Sequence, residues 1–211
     1  PNVIWRSWTT SWYFIEQGVV IMILVTGGAG FIGSNFVIDW LAEQKESVIN
    51  IDKLTYAGNL NNLNSLKGND HHIFVNGDIN NVVQMHQLLT RYKPRAIVNF
   101  AAESHVDRSI HDPEAFVQTN IIGTFCLLQC VKDYWLSLST DEQSEFRFLQ
   151  ISTDEVYGSL VANAPAFTET HRYEPNSPYS ASKASSDHLV RAYHYTYGLP
   201  VLTTNSSNNY G

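Results

Sequence analysis

A tyrosine and a lysine four residues apart, Tyr179 and Lys183, are the clearest candidates for chemistry in the sequence. They lie in the stretch YSASK, at the start of a helical pattern that continues to Tyr197. Residues at this spacing share one face of a helix. A tyrosine with a pKa of about 10 is a poor base near neutral pH. We expect the Lys183 ammonium to lower the pKa of Tyr179 toward the working range. Alone, such a pair is more typical of a solvated helix face.

A second group of polar side chains lies in the stretch QISTDEVYG, after an apolar run that predicts a strand. We expect Thr153 to form a hydrogen bond with the same reacting hydroxyl group that Tyr179 addresses. Asp154 and Glu155 follow where the strand enters a loop. Two adjacent carboxyl groups can divide proton transfer, one protonated as the acid and one ionised as the base. In isolation, they would be interpreted as solvated loop residues.

Three glycines at three-residue spacing, Gly27, Gly30 and Gly33, separate a predicted strand from a predicted helix. The first permits a tight turn, the second lets a pyrophosphate approach the backbone, and the third lets the helix pack closely on the strand. The next predicted strand ends in Asp52, whose carboxylate can bind both adenosine ribose hydroxyls and repels a 2′-phosphate. We predict a dinucleotide site with NAD, rather than NADP, as the cofactor. The one feature that argues against this preference for NAD is the neighbouring Lys53.

Short β-rich runs alternate with longer helical patterns along the chain. This alternation predicts an α/β fold, a Rossmann-like, doubly wound parallel sheet with helices on both faces. The predicted strands are Met22–Thr26, Ser47–Asp52, His72–Val75, Ala96–Phe100, Phe146–Ser152 and Pro200–Asn205. The predicted helices lie near Ser34–Gln44, Val82–Tyr92, Glu114–Trp135 and Ser180–Tyr197. We predict one domain over residues 22–211.

The first 21 residues do not match the pattern that follows, and they hold three of the five tryptophans. They have neither the basic region nor the cleavage site of a signal peptide. We expect a non-native or disordered extension, with a natural start at Met22. The alternative is an arm that binds a membrane surface or a partner.

Composition excludes several classes of function. A net charge of −7 argues against nucleic-acid binding, which needs clustered Lys and Arg. We expect no membrane span, because nothing approaches about 20 uninterrupted apolar residues. The two cysteines, Cys126 and Cys130, fit small core residues in a reducing, cytoplasmic compartment and suggest no metal site.

Six stretches after Met22 together resemble the dTDP-glucose 4,6-dehydratase family, in the extended branch of the short-chain dehydrogenase/reductase superfamily. They are TGGAGFIGSNF, DKLTYAGNL, AAESHVDRSI, ISTDEVYG, SPYSASKASSDHLVRA and SNNYG. The third and fourth discriminate best, because sugar-nucleotide 4-epimerases of the same branch usually lack the Asp-Glu pair. The G-x-x-G-x-x-G spacing of the glycines is also typical of this superfamily.

The resemblance implies conversion of dTDP-glucose to a 4-keto-6-deoxy sugar, on the route to rhamnose and related deoxysugars, with NAD regenerated in each turnover. Tyr179 would deprotonate the glucose 4-hydroxyl, and Lys183 would hold the nicotinamide ribose. Glu155 would then take the C5 proton, while Asp154 would protonate the departing 6-hydroxyl.

The resemblance also implies a set of ligand contacts. The cofactor contacts are the three glycines with Phe31, Ile32, Asp52, Lys53, Leu54, Thr55, Asp78, Ile79, Ala101, Ala102, Glu103, Ser104, Thr119, Tyr179, Lys183 and Asn209. The sugar-nucleotide contacts are Ser104, Thr153 and Asn208. His105, Asp107 and Arg108 are expected to order their loop rather than bind a ligand. The last two long helices resemble a homodimer-forming pair.

Members of this family are considerably longer than 211 residues. We therefore expect this chain alone to be poorly stable and weakly active or inactive, because further residues would complete the substrate pocket and the sheet. Alternatives that stay open are a UDP-glucose 4,6-dehydratase, another extended-branch nucleotide-sugar enzyme such as a 4-epimerase, and a truncated, non-catalytic NAD-binding module.

Overall fold

The computed structural model describes residues 21–44, 46–162 and 164–210. Nearly all of the expected N-terminal extension, residues 1–20, lies outside the described residues. The strands are β1 (Met22–Thr26), β2 (Ser47–Asp52), β3 (His72–Asn76), β4 (Ala96–Asn99), β5 (Arg147–Thr153) and β6 (Val201–Ser206). The α-helices are α1 (Phe31–Glu43), α2 (Val82–Tyr92), α3 (Val106–His111), α4 (Pro113–Phe116), α5 (Thr124–Ser137), α6 (Thr140–Glu145) and α7 (Pro178–Tyr197). Two 3₁₀ helices span Leu60–Leu66 and Asp154–Tyr157, and a π-helix spans Val117–Gly123.

The six strands form one parallel sheet in the order β3-β2-β1-β4-β5-β6. This is the strand order of the Rossmann fold, and it confirms the predicted fold class. Strand order reverses between β1 and β4, so a crevice opens beyond their carboxyl ends. The glycine turn follows β1 and lies at that crevice.

Alternate side chains of the buried strands pack into two separate layers. On one face, Leu24 of β1 joins a core built with α2, α5 and α7, including Leu127 and Val190. On the other face, Val25 packs with Val37 of α1. All five are fully buried, and burial of one such side chain stabilises the fold by roughly 1.5–3 kcal/mol. The sheet therefore holds the loops at its carboxyl edge on a rigid base.

The predicted helix Glu114–Trp135 is a chain of three segments: α4, the π-helix and α5. In the described part of the chain, one helix, Pro113–Leu136, is long and apolar enough to cross a membrane by length and composition alone. Length and composition are weak grounds, because the core helix of a soluble protein passes the same test. Leu127, Leu128 and Val131 of this helix lie in the core. The expected absence of a membrane span stays a prediction.

Candidate active site

The turn after β1 needs a glycine at its first position. Gly27 has φ +70°, a conformation that residues with a Cβ rarely adopt. A Cβ there would lie 2.7 Å from the backbone nitrogen of Ala101 at the end of β4. The Gly27 N–H donates to the Ile51 carbonyl of β2 at 2.8 Å. These contacts place the turn directly against the neighbouring strands.

Gly30 is the N-cap of helix α1, and no side chain caps the free N–H groups of the helix. Gly30 has φ −74°, and a Cβ there would lie 3.3 Å from the Gly27 carbonyl oxygen, which is a close contact. The absence of a Cβ therefore keeps the first turn of the helix accessible. Accessible N–H groups at an uncapped helix N-terminus fit the phosphates of a dinucleotide.

The Asp52 carboxylate at the end of β2 joins two backbone segments. Its Oδ2 accepts a hydrogen bond from Ala29 N in the glycine turn at 2.9 Å, and its Oδ1 accepts one from Leu54 N at 2.7 Å. Leu54 has φ +57°, which a branched side chain rarely adopts, so this loop is held in a strained conformation. Asp52 is 8% exposed at the crevice, and each oxygen has a lone pair left for a ribose hydroxyl.

Lys53 forms a 2.7 Å salt bridge with Asp78, the residue expected beside the adenine. Burial raises the pKa of Asp78, but hydrogen bonds from Lys53 and Asn80 and the charge of Lys53 outweigh it and lower the pKa overall. The Asp78 carboxylate beside the Lys53 ammonium partly offsets the attraction of this lysine for a 2′-phosphate. The positive charge of Lys53, which could favour NADP, is therefore a weaker argument against NAD.

A chain of buried amide and hydroxyl groups crosses the sheet beneath the crevice. Thr26 Oγ1 donates to Asn99 Oδ1 at 2.5 Å, and Asn99 Nδ2 donates to Gln150 Oε1 at 2.8 Å. Gln150 Nε2 then donates to Ser186 Oγ at 3.4 Å. These hydrogen bonds link β1, β4, β5 and α7, so they connect the glycine turn with the helix that carries Tyr179.

A second buried amide, Asn120 in the π-helix, fixes the loop after β4. Its Oδ1 accepts from Glu103 N at 2.8 Å, and its Nδ2 donates to Glu103 O at 2.9 Å and to Ser182 Oγ at 2.8 Å. Ser182 Oγ donates in turn to the Tyr179 carbonyl at 2.7 Å. The π-helical distortion therefore brings a side chain between the Glu103 loop and the start of α7.

Thr153 ends β5 and caps the short 3₁₀ helix that contains both acids. Its Oγ1 accepts a hydrogen bond from Glu155 N at 3.2 Å. Thr153 is buried, whereas Asp154 and Glu155 are half-buried. Burial first, and the negative charge of Asp154 second, raise the pKa of Glu155. A raised pKa makes the Glu155 carboxylate a stronger base than a solvated one.

Tyr179 and Lys183 lie buried in the first two turns of α7, 9% and 4% exposed respectively. Lys183 Nζ donates to the Ile151 carbonyl of β5 at 2.6 Å. Burial lowers the pKa of Lys183 to about 8. For Tyr179, burial and the charge of Glu155 raise the pKa to about 12, although a hydrogen bond with Thr153 acts in the opposite direction.

The expectation that Lys183 lowers the pKa of Tyr179 is therefore wrong for this structure. Tyr179 is buried close to the negative charge of Glu155, and the Lys183 ammonium donates to the Ile151 carbonyl of β5. Burial and negative charge together outweigh any effect of the lysine. The structure confirms that the two residues share one helix face, but the pKa of Tyr179 is raised rather than lowered.

The GDP-mannose 4,6 dehydratase family model matches residues 24–211 of the chain. The chain belongs to this family. It is 62% identical over 188 residues to a dTDP-glucose 4,6-dehydratase from Xanthomonas campestris pv. campestris (strain B100), which covers 89% of this chain and 53% of that protein. The chain therefore spans about half the length of the curated relatives it matches.

Solved structures of two more relatives share the fold of this GDP-mannose 4,6-dehydratase family member. One is the dTDP-glucose 4,6-dehydratase of Streptomyces venezuelae with NAD bound, with a TM-score of 0.82 and 47% identity over 90% of this chain and 57% of that one. The other is the Bacillus anthracis enzyme in complex with NAD, with a TM-score of 0.78 and 46% identity over 90% of this chain and 56% of that one. The resemblance seen in the motifs is confirmed.

The structure brings most of the expected site residues to the carboxyl edge of the sheet, where a family member would bind its ligands. Ile79 is buried, Thr119 is half-buried in the π-helix, and Ser104 is exposed between β4 and α3. Asn208 and Asn209 are exposed after β6, and Asn209 donates only to the nearby Ser207 carbonyl at 3.1 Å. The structure therefore does not bring these two asparagines into contact with the catalytic candidates.

Arg108 of α3 packs its guanidinium over the Tyr56 ring, 3.7 Å from the ring centre. Tyr56 belongs to the loop after β2, so this cation–π contact joins loops on the two sides of the crevice. The contact supports the prediction that Arg108 orders its loop. His105 and Asp107 are exposed beside it.

Sequence reasoning missed Asn99, Gln150, Asn120 and Asp187. Two of them had a visible signal, since Asn99 and Gln150 are polar residues within runs that otherwise read as buried strands. Asp187 follows Lys183 at the same four-residue spacing that joins Tyr179 to Lys183. Asn120 had no signal in the sequence, because its role depends on the π-helical turn.

Proposed function

We propose that this chain contributes the NAD-binding and acid–base part of a dTDP-glucose 4,6-dehydratase, which forms dTDP-4-keto-6-deoxyglucose and water. One observation carries the proposal. Buried Tyr179 and Lys183 lie against the end of β5, where Thr153, Asp154 and Glu155 follow directly. A protein that only binds a dinucleotide has no need of this set of groups beside the crevice.

The cofactor part of the proposal rests on the shape and charge of the crevice. The uncapped N-terminus of α1, which has no side chain at Gly30, fits a pyrophosphate, and Asp52 fits an adenosine ribose. Lys183 would hold the nicotinamide ribose. When bound, NAD⁺ supplies a hydride acceptor for the sugar C4 and a positive charge near Tyr179.

The chain's own residues carry out the proton transfers. Tyr179 accepts the proton of the 4-hydroxyl, which requires its pKa to fall from about 12 toward neutrality. Positive charge near its oxygen has this effect, and the Thr153 hydroxyl already acts in the same direction. Exclusion of water from the buried pair strengthens these interactions.

Water elimination from C5 and C6 requires a base and an acid beside the sugar. A 4-ketone acidifies the C5 hydrogen, and Glu155, whose pKa burial raises, is the base. Asp154 is the acid for the departing 6-hydroxyl. The product would be completed by return to C6 of the hydride taken from C4 and by reprotonation of C5, so that no external oxidant is consumed. Thr153 fixes both by capping their 3₁₀ helix.

We also propose a cytoplasmic homodimer. Exposed apolar side chains lie along the π-helix and α5, including Ile122 (40%), Phe125 (40%) and Leu136 (57%). Residues at these spacings share one helix face and can pair with a second copy of the chain. Phe125→Asp should convert the dimer to a monomer in sedimentation experiments. Two free cysteines, Cys126 and Cys130, fit a reducing compartment.

The test is turnover of nucleotide sugars by the purified chain with NAD⁺. dTDP-glucose and UDP-glucose are supplied in parallel, and products are followed by mass spectrometry. Loss of one water from dTDP-glucose supports the proposal, and loss from UDP-glucose alone reassigns the nucleotide. Formation of a 4-epimer of unchanged mass, separated from the substrate by chromatography, would show a 4-epimerase. Bound NAD with no change in either sugar would show that this chain supplies only the cofactor part of the site, and the assay would move to a full-length protein.

A further inference from the structure

Asp187 is a buried carboxylate at the junction of three elements. It lies in α7, one turn after Lys183, and is 4% exposed. Its Oδ2 accepts hydrogen bonds from Ser152 Oγ of β5 at 2.6 Å and from Tyr173 OH at 3.2 Å. Its Oδ1 is buried without a hydrogen-bond partner within the described ranges. A carboxylate in this position is costly to bury, so it needs a compensating charge.

Lys183 is the buried cation on the same face of the same helix. Its Nζ binds the Ile151 carbonyl, and no direct ion pair joins Lys183 and Asp187 among the residues that the structure describes. The two charges therefore interact through space in a poorly solvated region. Each favours the ionised form of the other: Asp187 raises the pKa of Lys183 and Lys183 lowers that of Asp187, in both cases against the larger effect of burial.

The other ionisable groups near Asp187 do not replace this partner. Tyr173 packs from the preceding loop, and Tyr157 lies in the 3₁₀ helix; burial raises the pKa of both, so they remain neutral. His188, the exposed neighbour on α7, also lowers the pKa of Asp187, but by less than Lys183 does. Tyr179 is the remaining group, and it is also buried and neutral.

Asp187 also reaches the acid–base segment through Ser152, the residue before Thr153. Its hydrogen bond to Ser152 fixes the end of β5 against α7. From the other side, Asn205 of β6 donates to the Thr153 carbonyl at 3.2 Å. The strand end that presents Thr153 is thus held between α7 and β6.

We propose that Asp187 is a positioning residue that keeps Lys183 in its cationic form and fixes the end of β5 beneath Thr153. It touches neither substrate nor cofactor and acts through these two residues. The contribution of Asp187 to catalysis rests on the function proposed above. Its electrostatic effect on Lys183 can be measured in the absence of any turnover.

The test is the titration of Lys183 in chain labelled with ¹³C at lysine Cε. Its resonance is identified by its loss in Lys183→Met, and the midpoint in the unaltered chain is expected at about 8. Asp187→Asn, which keeps the shape but removes the charge, should lower the midpoint by about one pH unit. Asp187→Glu should restore it. Ser185→Ala, on the same helix with its hydroxyl bound to Ala181, is the matched control and should leave it unchanged.

An unchanged midpoint in folded Asp187→Asn would overturn the proposal and leave Asp187 a structural residue. If this variant does not fold, the reciprocal measurement applies, because coupling between two sites is mutual. Loss of the ammonium in Lys183→Met should raise the pKa of Asp187, followed by the ¹³Cγ resonance. No rise there would equally overturn the proposal. Absence of turnover with the expected titrations would count against the proposed function and not against this coupling.

Discussion

Asp52 and Ala29 are joined by a 2.9 Å hydrogen bond from the backbone N–H of the glycine turn to the carboxylate at the end of β2. The same carboxylate accepts from Leu54 N at 2.7 Å. One side chain therefore holds together the two loops that form the adenosine side of the crevice. We propose that its negative charge also favours an unphosphorylated ribose in this crevice.

Asp52→Asn should weaken both functions. An amide presents one acceptor and one donor, so one backbone N–H loses its partner at a cost of about 1–3 kcal/mol in the free energy of unfolding. Calorimetry should also show a lower ratio of NAD to NADP affinity, because the repulsion of a 2′-phosphate is lost. Glu46→Gln is the control, since it weakens a partly exposed salt bridge with Arg95 at the opposite end of β2, worth roughly 0–1 kcal/mol. If the ratio of NAD affinity to NADP affinity is the same in Asp52→Asn as in the unaltered chain, Asp52 does not repel a 2′-phosphate.

Gly30→Ala should separate cofactor binding from folding. The new Cβ would lie 3.3 Å from the Gly27 carbonyl oxygen, so the turn must adjust by a few tenths of an ångström, but the φ of −74° suits alanine. The free energy of unfolding should therefore change by about 1 kcal/mol or less. The methyl group occupies the space for the pyrophosphate, and NAD affinity should fall by at least ~10-fold, or about 1.4 kcal/mol.

Two other glycines supply the comparison for Gly30→Ala. Gly68→Ala imposes strain at φ +81° with open space around it, so it should cost stability without affecting NAD binding. Gly27→Ala should cost stability and binding together, because its Cβ would collide with the Ala101 backbone. Full NAD affinity in Gly30→Ala would place the pyrophosphate elsewhere.

Asn99→Ala should be strongly destabilising although it removes few atoms. The change leaves the buried Thr26 hydroxyl without its acceptor and the buried Gln150 Oε1 without its donor, and together these losses should cost about 3 kcal/mol. Chemical denaturation measures the loss. Asn35→Ala is the control, because its side chain is exposed and binds only Phe31 O. A loss as small as that of Asn35→Ala would show that the buried polar chain contributes little.

Lys183 should make stability depend on pH in a defined direction. Burial lowers its pKa from 10.5 to about 8, so between these values the unfolded chain binds more protons than the folded one. The free energy of unfolding therefore gains from rising pH in this window. Relative to Lys183→Met, the unaltered chain should gain roughly 1–2 kcal/mol between about pH 8 and pH 9.5. A constant difference across this range would show that the lysine is not desolvated.

The sequence was sufficient for the sheet and for the positions of most site residues. β1, β2 and α2 have the predicted bounds, because their apolar periodicity and the glycine turn are local signals. Short elements such as α3 and α6 were missed, since a helix of six residues gives almost no periodic pattern.

Contacts between distant strands could not be predicted in the same way. The hydrogen bond of Thr26 to Asn99 depends on β1 lying beside β4, which is decided by the order of the whole sheet. The pKa of Tyr179 was predicted in the wrong direction for a similar reason. Spacing places Lys183 on the same helix face, but burial and the proximity of Glu155 are properties of the folded chain.

The most direct test of the proposed reaction compares the unaltered chain with Glu155→Gln, using dTDP-glucose, NAD⁺ and mass spectrometry. Glu174→Gln, an exposed acid in the following loop, is the control. We predict a small yield of sugar nucleotide lighter by one water from the unaltered chain and the control, and none from Glu155→Gln. The same water loss from Glu155→Gln would contradict the assignment of the acid–base groups.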